Sequence, residues 1–178
     1  MKILEFSSSH IQAVKNFTDR WIGQNYYSLP ELKNAYLYSQ GCSYLAYVDE
    51  ELAGIRLTYA PGDWIKSQRG LSFHDWKVPS DRVGYFKSLF VAEKFQQLGI
   101  GRKLAETSLK QLQKKEAQAV ICHSWLESPG NSSQLYLEKM GFVPVKSHPE
   151  FWKEIDYLCT RCSPHRCLCT AIEMIKYL

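Results

Sequence analysis

Gly99-Ile100-Gly101 follows an apolar run and precedes a segment with helical periodicity, an order that suits an anion such as a phosphate. Unpaired backbone amides at a helix N-terminus point outward and carry the positive end of the helix dipole. Glycine permits unusual dihedrals and a close backbone approach to a ligand. No Walker loop is present, because Gly-Lys-Ser/Thr does not occur. No Rossmann turn is present either, because Leu104 and Ala105 stand where its third glycine belongs. Two glycines alone also describe an ordinary strand-to-helix turn. A second concentration of chemistry lies at Cys159-x-x-Cys162-x-x-x-x-Cys167-x-Cys169, four thiols with Pro164 and His165 between the pairs. Four thiolates suit a structural, tetrahedral zinc, and His165 can replace one of them. Reduced, packed cysteines and a redox-responsive pair are the competing readings.

The elements that must position these groups follow from periodicity. Val83 to Val91 reads as a buried strand, with Val83, Tyr85, Leu89 and Val91 on one face and Phe86 and Phe90 on the other. After the glycine turn, Leu104, Ala105, Ser108, Leu109 and Leu112 share one helix face, and Lys110, Lys114 and Lys115 lie towards the C-terminal end favoured by the dipole. Upstream, Lys2 to Phe6 reads as a strand, and Ile11, Val14, Phe17, Trp21 and Ile22 as a helix capped by one of Ser7 to Ser9. Pro30 opens a second helix ending before Gly41. Ser43 to Val48 and Leu52 to Tyr59 form a hairpin across Asp49-Glu50-Glu51. Pro61 to Ser80 is a long irregular link containing Trp64, His74, Asp75 and Trp76, of a length that is often functional. Ala119 to His123 is a strand, Ser132 to Met140 a short helix, Phe142 to Val145 a strand and Ala171 to Tyr177 a last strand. The cysteine segment at about 159–169 is expected to be a hairpin.

At 178 residues, 45% hydrophobic and 22% charged, the chain is expected to be one globular domain over 1–178. A net charge of +4 can attract an anionic ligand but falls short of a nucleic-acid footprint, so no nucleic-acid partner is expected. The start, MKILEFSSSH, has neither the apolar run nor the cleavage site of a secretory signal, and no apolar run reaches membrane-spanning length. The expectation is a cytoplasmic protein without membrane contact, in a reducing compartment that disfavours disulfides. Cys42 and Cys122, in strand regions, read as small core residues.

Val91-x-x-x-Phe95-Gln96-x-x-Gly99-Ile100-Gly101-Arg102-x-Leu104 resembles the acetyl-CoA signature of the GNAT N-acetyltransferases, whose core is Arg/Gln-x-x-Gly-x-Gly/Ala. Asn131 to Phe142, NSSQLYLEKMGF, resembles the family's second signature, a helix ending in Gly-Phe before a strand. The resemblance covers roughly Ser43 to Val145. It implies an α/β, GNAT-like mixed, mostly antiparallel sheet with helices on both faces, built around a central strand, glycine turn and helix. It also implies direct transfer of an acetyl group from acetyl-CoA to the amine of a small molecule or peptide. The sequence does not fix the oligomeric state, and a homodimer is open to it.

Carried over by position, Phe90 and Val91 supply main-chain contacts to the thioester and pantetheine, and Gln96, Gln97, Leu98, Gly99, Ile100, Gly101 and Arg102 the amides around the pyrophosphate. The family tyrosine that protonates the departing thiolate falls on Leu137, with Tyr136 one step earlier, a rotation of about 100° on a helix. The family asparagine that touches pantetheine falls on Gly130, with Asn131 displaced by one. The central strand carries no Asp or Glu, so the candidate bases are His123, whose ordinary pKa suits the task, and Glu127, acting through water; either can instead be structural. Acyl transfer by positioning and water alone is a further option. Two other functions stay open: a non-catalytic acyl-CoA-binding or sensing module, and a zinc-stabilised protein-interaction module. For the latter, Cys159, Cys162, Cys167 and Cys169 are the ligands.

Overall fold

The computed structural model describes residues 1–159 and 161–178. Strands β1 (Lys2–Glu5), β2 (Tyr44–Val48), β3 (Glu51–Tyr59), β4 (Val83–Val91), β5 (Ala119–Trp125), β6 (Val143–His148) and β7 (Ala171–Tyr177) form one sheet in the order β1-β2-β3-β4-β5-β7-β6. Every pairing is antiparallel except β4 with β5. Helices α1 (Ile11–Trp21) and α2 (Leu29–Ser39) bury Val14, Phe17, Leu32 and Ala35 with Ile55, Leu57 and Tyr85 on one face. Helices α3 (Ile100–Lys114) and α4 (Ser132–Lys139) bury Ala105, Leu112 and Leu137 with Phe86, Val120 and Met174 on the other. This is the mixed, mostly antiparallel sheet with helices on both faces that the sequence implied. No described helix is long and apolar enough to cross a membrane.

Local chemistry sets the ends of these elements. Helix α2 starts with a reciprocal cap: the Glu31 amide donates to Ser28 Oγ, and the Ser28 amide donates to the Glu31 carboxylate at 2.7 Å. Gly99, at φ +74°, turns the chain into α3 in a left-handed conformation that a side chain would resist. The long link between β3 and β4 contains short 3-10 turns and contributes to the core. Trp64 stacks on Tyr85 at 5.0 Å and donates its indole N–H to the Val83 carbonyl at 3.2 Å. Trp76 is equally buried.

Two sequence expectations need correction. Simple alternation in β4 fails, because Leu57 pairs with Ser88 but Thr58 with Phe86, leaving Lys87 as the extra residue of a β-bulge. A bulge shifts the period by one. Val83, Tyr85 and Phe90 therefore pack towards α1 and α2, whereas Phe86, Leu89 and Val91 pack towards α3 and α4. The cysteine segment is no hairpin: its described residues run through turns and unpaired chain between β6 and β7. Packing around the sulfurs takes the place of strand pairing there.

Candidate functional site

β4 and β5 pair only from Val83–Ala119 to Phe86–Cys122. Beyond that point β4 stays with β3 as far as Val91, while β5 stays with β7 as far as Trp125. The strands diverge, and the backbone of Lys87 to Val91 has no strand partner on its open side. Helix α3 begins beside this fork, anchored by Ile100 and Leu104 packing against Leu89 and Val91. Gln97 and Gly99 are both left-handed. Among the described residues, none of the amides of Gln97, Leu98, Gly99, Ile100, Gly101 and Arg102 donates to a protein acceptor. Six unspent donors at the positive end of a fifteen-residue helix form a cradle that can accept an anion. Its rim carries the exposed Leu98 and the Arg102–Glu106 pair at 2.7 Å. Gln96 is committed elsewhere, donating its side-chain amide to the Val91 carbonyl at 3.2 Å, and Phe90 faces Tyr26 at 6.3 Å on the α1/α2 side.

The second signature reaches the same place from α4. Leu137 is buried in the core, while Tyr136 donates its hydroxyl to the Gly101 carbonyl at 3.1 Å, inside the first turn of α3. Burial raises the phenol above its ordinary value, so it stays protonated at neutral pH. Gly130 and Asn131 are consecutive left-handed residues that start α4 at Ser132. The Asn131 side chain is exposed, and its amide N–H donates to the Ser128 carbonyl.

Arg56, which sequence reasoning overlooked, lies under this point. It is 3% exposed, with its guanidinium 3.7 Å from the Phe86 ring and its Nε and Nη2 without a hydrogen-bond partner among the described residues. Burial lowers its pKa, and neighbouring Tyr136 and Cys122 oppose that shift. Lys87, on the bulge, was overlooked too; burial pushes its ammonium down to about 8. Both break an apolar strand with a lone charge, and that was the available signal.

The two candidate bases turn out to be hydrogen-bonded within the fold. His123 Nε2–H donates to the Gly70 carbonyl at 2.7 Å, which leaves Nδ1 to accept from the Tyr85 hydroxyl at 2.9 Å. The ring also stacks on Phe151 at 4.3 Å. Gly70 is needed here, because a Cβ would lie 2.6 Å from Phe151. Glu127 accepts the Thr170 amide at 3.0 Å through both oxygens and ties the end of β5 to the start of β7. Burial pushes the His123 imidazole down from 6.5 to about 4, against the opposing pull of the Gly70 carbonyl. The unfolded chain therefore takes up this proton first. The stability tied to the neutral ring is whole above about pH 6.5 and is lost as pH falls to about 4, a change of about 3 kcal/mol. Urea unfolding at pH 7 and pH 4 should show wild type losing about that much more stability than His123→Gln. Equal losses in the two proteins would remove the assignment.

Cys159, Cys162, Cys167 and Cys169 converge, with all four sulfurs within 4.8 Å of one another, and can hold a metal ion. Cys42 and Cys122 are buried singly in the core.

The family model described as "Acetyltransferase (GNAT) family" matches residues 12–142. No curated protein matches the chain. Naa20 of Chaetomium thermophilum, solved in complex with a bisubstrate analogue, superposes at TM-score 0.73 and 14% identity over 100% of this chain and 87% of that one. Ard1 of Thermoplasma volcanium superposes at TM-score 0.70 and 15% identity over 99% and 97% of the two chains. Arabidopsis thaliana Naa50, in complex with the bisubstrate analogue CoA-Ac-MVNAL, gives TM-score 0.66 and 13% identity over 99% and 98%. At these identities the likeness is one of fold.

Proposed function

This chain belongs to the GNAT acetyltransferase family, and we propose that it transfers an acetyl group from acetyl-CoA directly to an amine of a small molecule or peptide. The observation that carries this reading is the run of free amides at 97–102 beside the unpaired half of β4. The cradle suits a pyrophosphate, and the open backbone of Lys87 to Val91 suits an extended chain bearing amides, as pantetheine does. The bisubstrate analogue bound to Naa50 joins CoA to an acetylated peptide, which supports the same pairing of ligands here.

In this reading the neutral amine attacks the thioester carbonyl carbon, the C–S bond breaks, the amine loses a proton and the departing thiolate gains one. Tyr136 is the proton donor to sulfur, its hydroxyl turning from the Gly101 carbonyl that it bonds in the free protein to the departing thiolate. The buried charge of Arg56 beside it favours an anion at that point. Lys87, with its pKa near 8, is the proton acceptor on the open strand, since His123 and Glu127 are engaged in the fold. Tyr26 and Phe90 wall the acceptor side. We place the reaction in the cytoplasm, where the six free thiols stay reduced.

Mass spectrometry of a panel of primary amines and peptides with free N-termini, incubated with acetyl-CoA, tests the proposal. The expected result is an acetylated acceptor and one free CoA for each transfer. Tyr136→Phe should lower kcat by about a hundredfold and leave the KM for acetyl-CoA within about threefold. Acetyl-CoA binding without product on any amine would point to a binding module. Absence of acetyl-CoA binding would sink the reading.

A further inference from the structure

Among the described residues, the group of side chains that could hold a metal ion lies in the loop between β6 and β7. Cys159 Sγ and Cys169 Sγ are 3.9 Å apart, and Cys162 Sγ and Cys169 Sγ 3.6 Å. A disulfide needs about 2.05 Å, so neither pair is bonded, and all six cysteines are free. Four thiolates on one tetrahedral zinc at about 2.3 Å stand about 3.8 Å from one another, close to these separations. Cys159, Cys167 and Cys169 are buried and Cys162 is half-buried, walled by Trp125, Trp152 and Tyr157. Two sulfurs already accept hydrogen bonds: Cys162 from the Leu168 amide and Cys167 from the Tyr157 hydroxyl, each at 3.4 Å. Those are bonds that favour a metal-bound thiolate.

We propose that Cys159, Cys162, Cys167 and Cys169 bind one Zn²⁺ as a structural tetrathiolate site, and that the metal fastens the β6–β7 loop onto the loop joining α1 to α2. Binding releases the thiol protons and changes no oxidation state. The fastening runs through named contacts. Tyr157 bonds Cys167 through its hydroxyl and meets Tyr26 edge-on at 5.1 Å, and Tyr26 in turn faces Phe90 of β4. The backbone of Gly23 packs so closely on the Leu158 carbonyl that a Cβ would lie 3.1 Å from it. On the other flank, the Cys169 carbonyl accepts the Phe151 amide at 3.0 Å, and Phe151 stacks on His123. A cleft of about 310 Å³, lined by Gln24, Asn25, Tyr157 and His165 among others, opens along the seam between the loops. Resting on the acetyltransferase reading, the metal thus shapes the acceptor side of the fork and leaves the cradle of α3 alone.

The full chain, purified without chelator, is assayed for metal content and then exchanged with Co²⁺. One zinc per chain is expected, with the strong visible bands and thiolate charge transfer of tetrahedral cobalt. Cys162→Ser should weaken cobalt binding at least about tenfold, while Cys42→Ala leaves the spectrum unchanged. Stripping zinc from wild type should speed amide hydrogen exchange across residues 22–28 and leave α3 as it was. A pale octahedral cobalt spectrum, or much less than one metal per chain after zinc addition, overturns the site. Unchanged exchange at 22–28 after zinc removal overturns the fastening. Neither readout requires turnover, so failure to acetylate any amine would count against the enzymatic reading alone.

Discussion

Gly101→Glu is expected to weaken acetyl-CoA binding by about a thousandfold while leaving the free protein folded. The position accepts a Cβ, since the nearest atoms would be those of Leu89 at 3.4 Å and Val91 at 3.7 Å, ordinary contact distances. The added carboxylate, however, sits in the first turn of α3, among amides that a pyrophosphate would otherwise use. A hydrogen bond to a charged group contributes about 1.5–3 kcal/mol, so losing two costs about 4 kcal/mol, which is about a thousandfold. Like-charge repulsion acts in the same direction. Gly101→Ala, with no charge, should stay within about tenfold of wild type. Titration calorimetry with acetyl-CoA separates the two variants. Wild-type affinity in Gly101→Glu would mean that the cradle is not where the phosphates bind.

Glu173→Ala should cost about 4 kcal/mol of folding stability and lower the melting temperature by about 12 °C. This fully buried carboxylate, in the middle of β7, accepts the Ser72 amide at 3.1 Å and the Trp76 indole N–H at 2.7 Å on one oxygen. Its other oxygen accepts His148 Nε2 at 3.2 Å. It thereby pins the β3–β4 link against the sheet, and alanine would strand three donors inside the protein. Glu173→Gln keeps an acceptor for Ser72 and Trp76, so about 1 kcal/mol is expected for it. Burial raises the Glu173 pKa, but the bonds from Ser72, Trp76 and His148 outweigh it and hold the carboxyl below 4.5. Its stabilising contribution is therefore whole above the unfolded value and is lost as pH falls through the folded one. The glutamine variant should lack that acid step. Calorimetric melting of the three proteins decides the matter: an alanine variant as stable as the glutamine one would mean that the stranded donors find other partners.

The parts of the fold legible in the sequence were those governed by local rules. Strand, glycine turn and helix announced themselves at Val83 to Lys114 through residue types and period, and the face chosen for α3 is the one that packs. The bulge at Lys87 was illegible, because a register slip depends on the partner strand and leaves no mark in a single sequence. It inverted the faces of Leu89 and Val91. The orientation of Tyr136 was equally hidden, since two left-handed residues before α4 set the phase of the helix. His123 and Glu127 had the residue types of bases. Only tertiary structure revealed that Gly70, Tyr85 and Thr170 take up their polar atoms. Trp64 and Trp76 sat in a stretch without period, yet they are fully buried, because indole N–H groups found partners at Val83 and Glu173.

The short contact between β4 and β5 also bears on how the chain survives its own synthesis. Residues 2–91 complete four mutually antiparallel strands before Ala119 leaves the ribosome, so the last of them waits with a bare edge. Bare edges recruit stray strands from other chains, and proteins blunt them with bulges and lysines. Here both devices fall on one residue, Lys87. Once β5 arrives it covers only Val83 to Phe86, so the rest of that edge stays open for the lifetime of the protein. A slot that takes up the proposed ligand's amide chain would also suit a misfolded neighbour's backbone, and the kinked lysine at its closed end interrupts the pairing that such a strand would need.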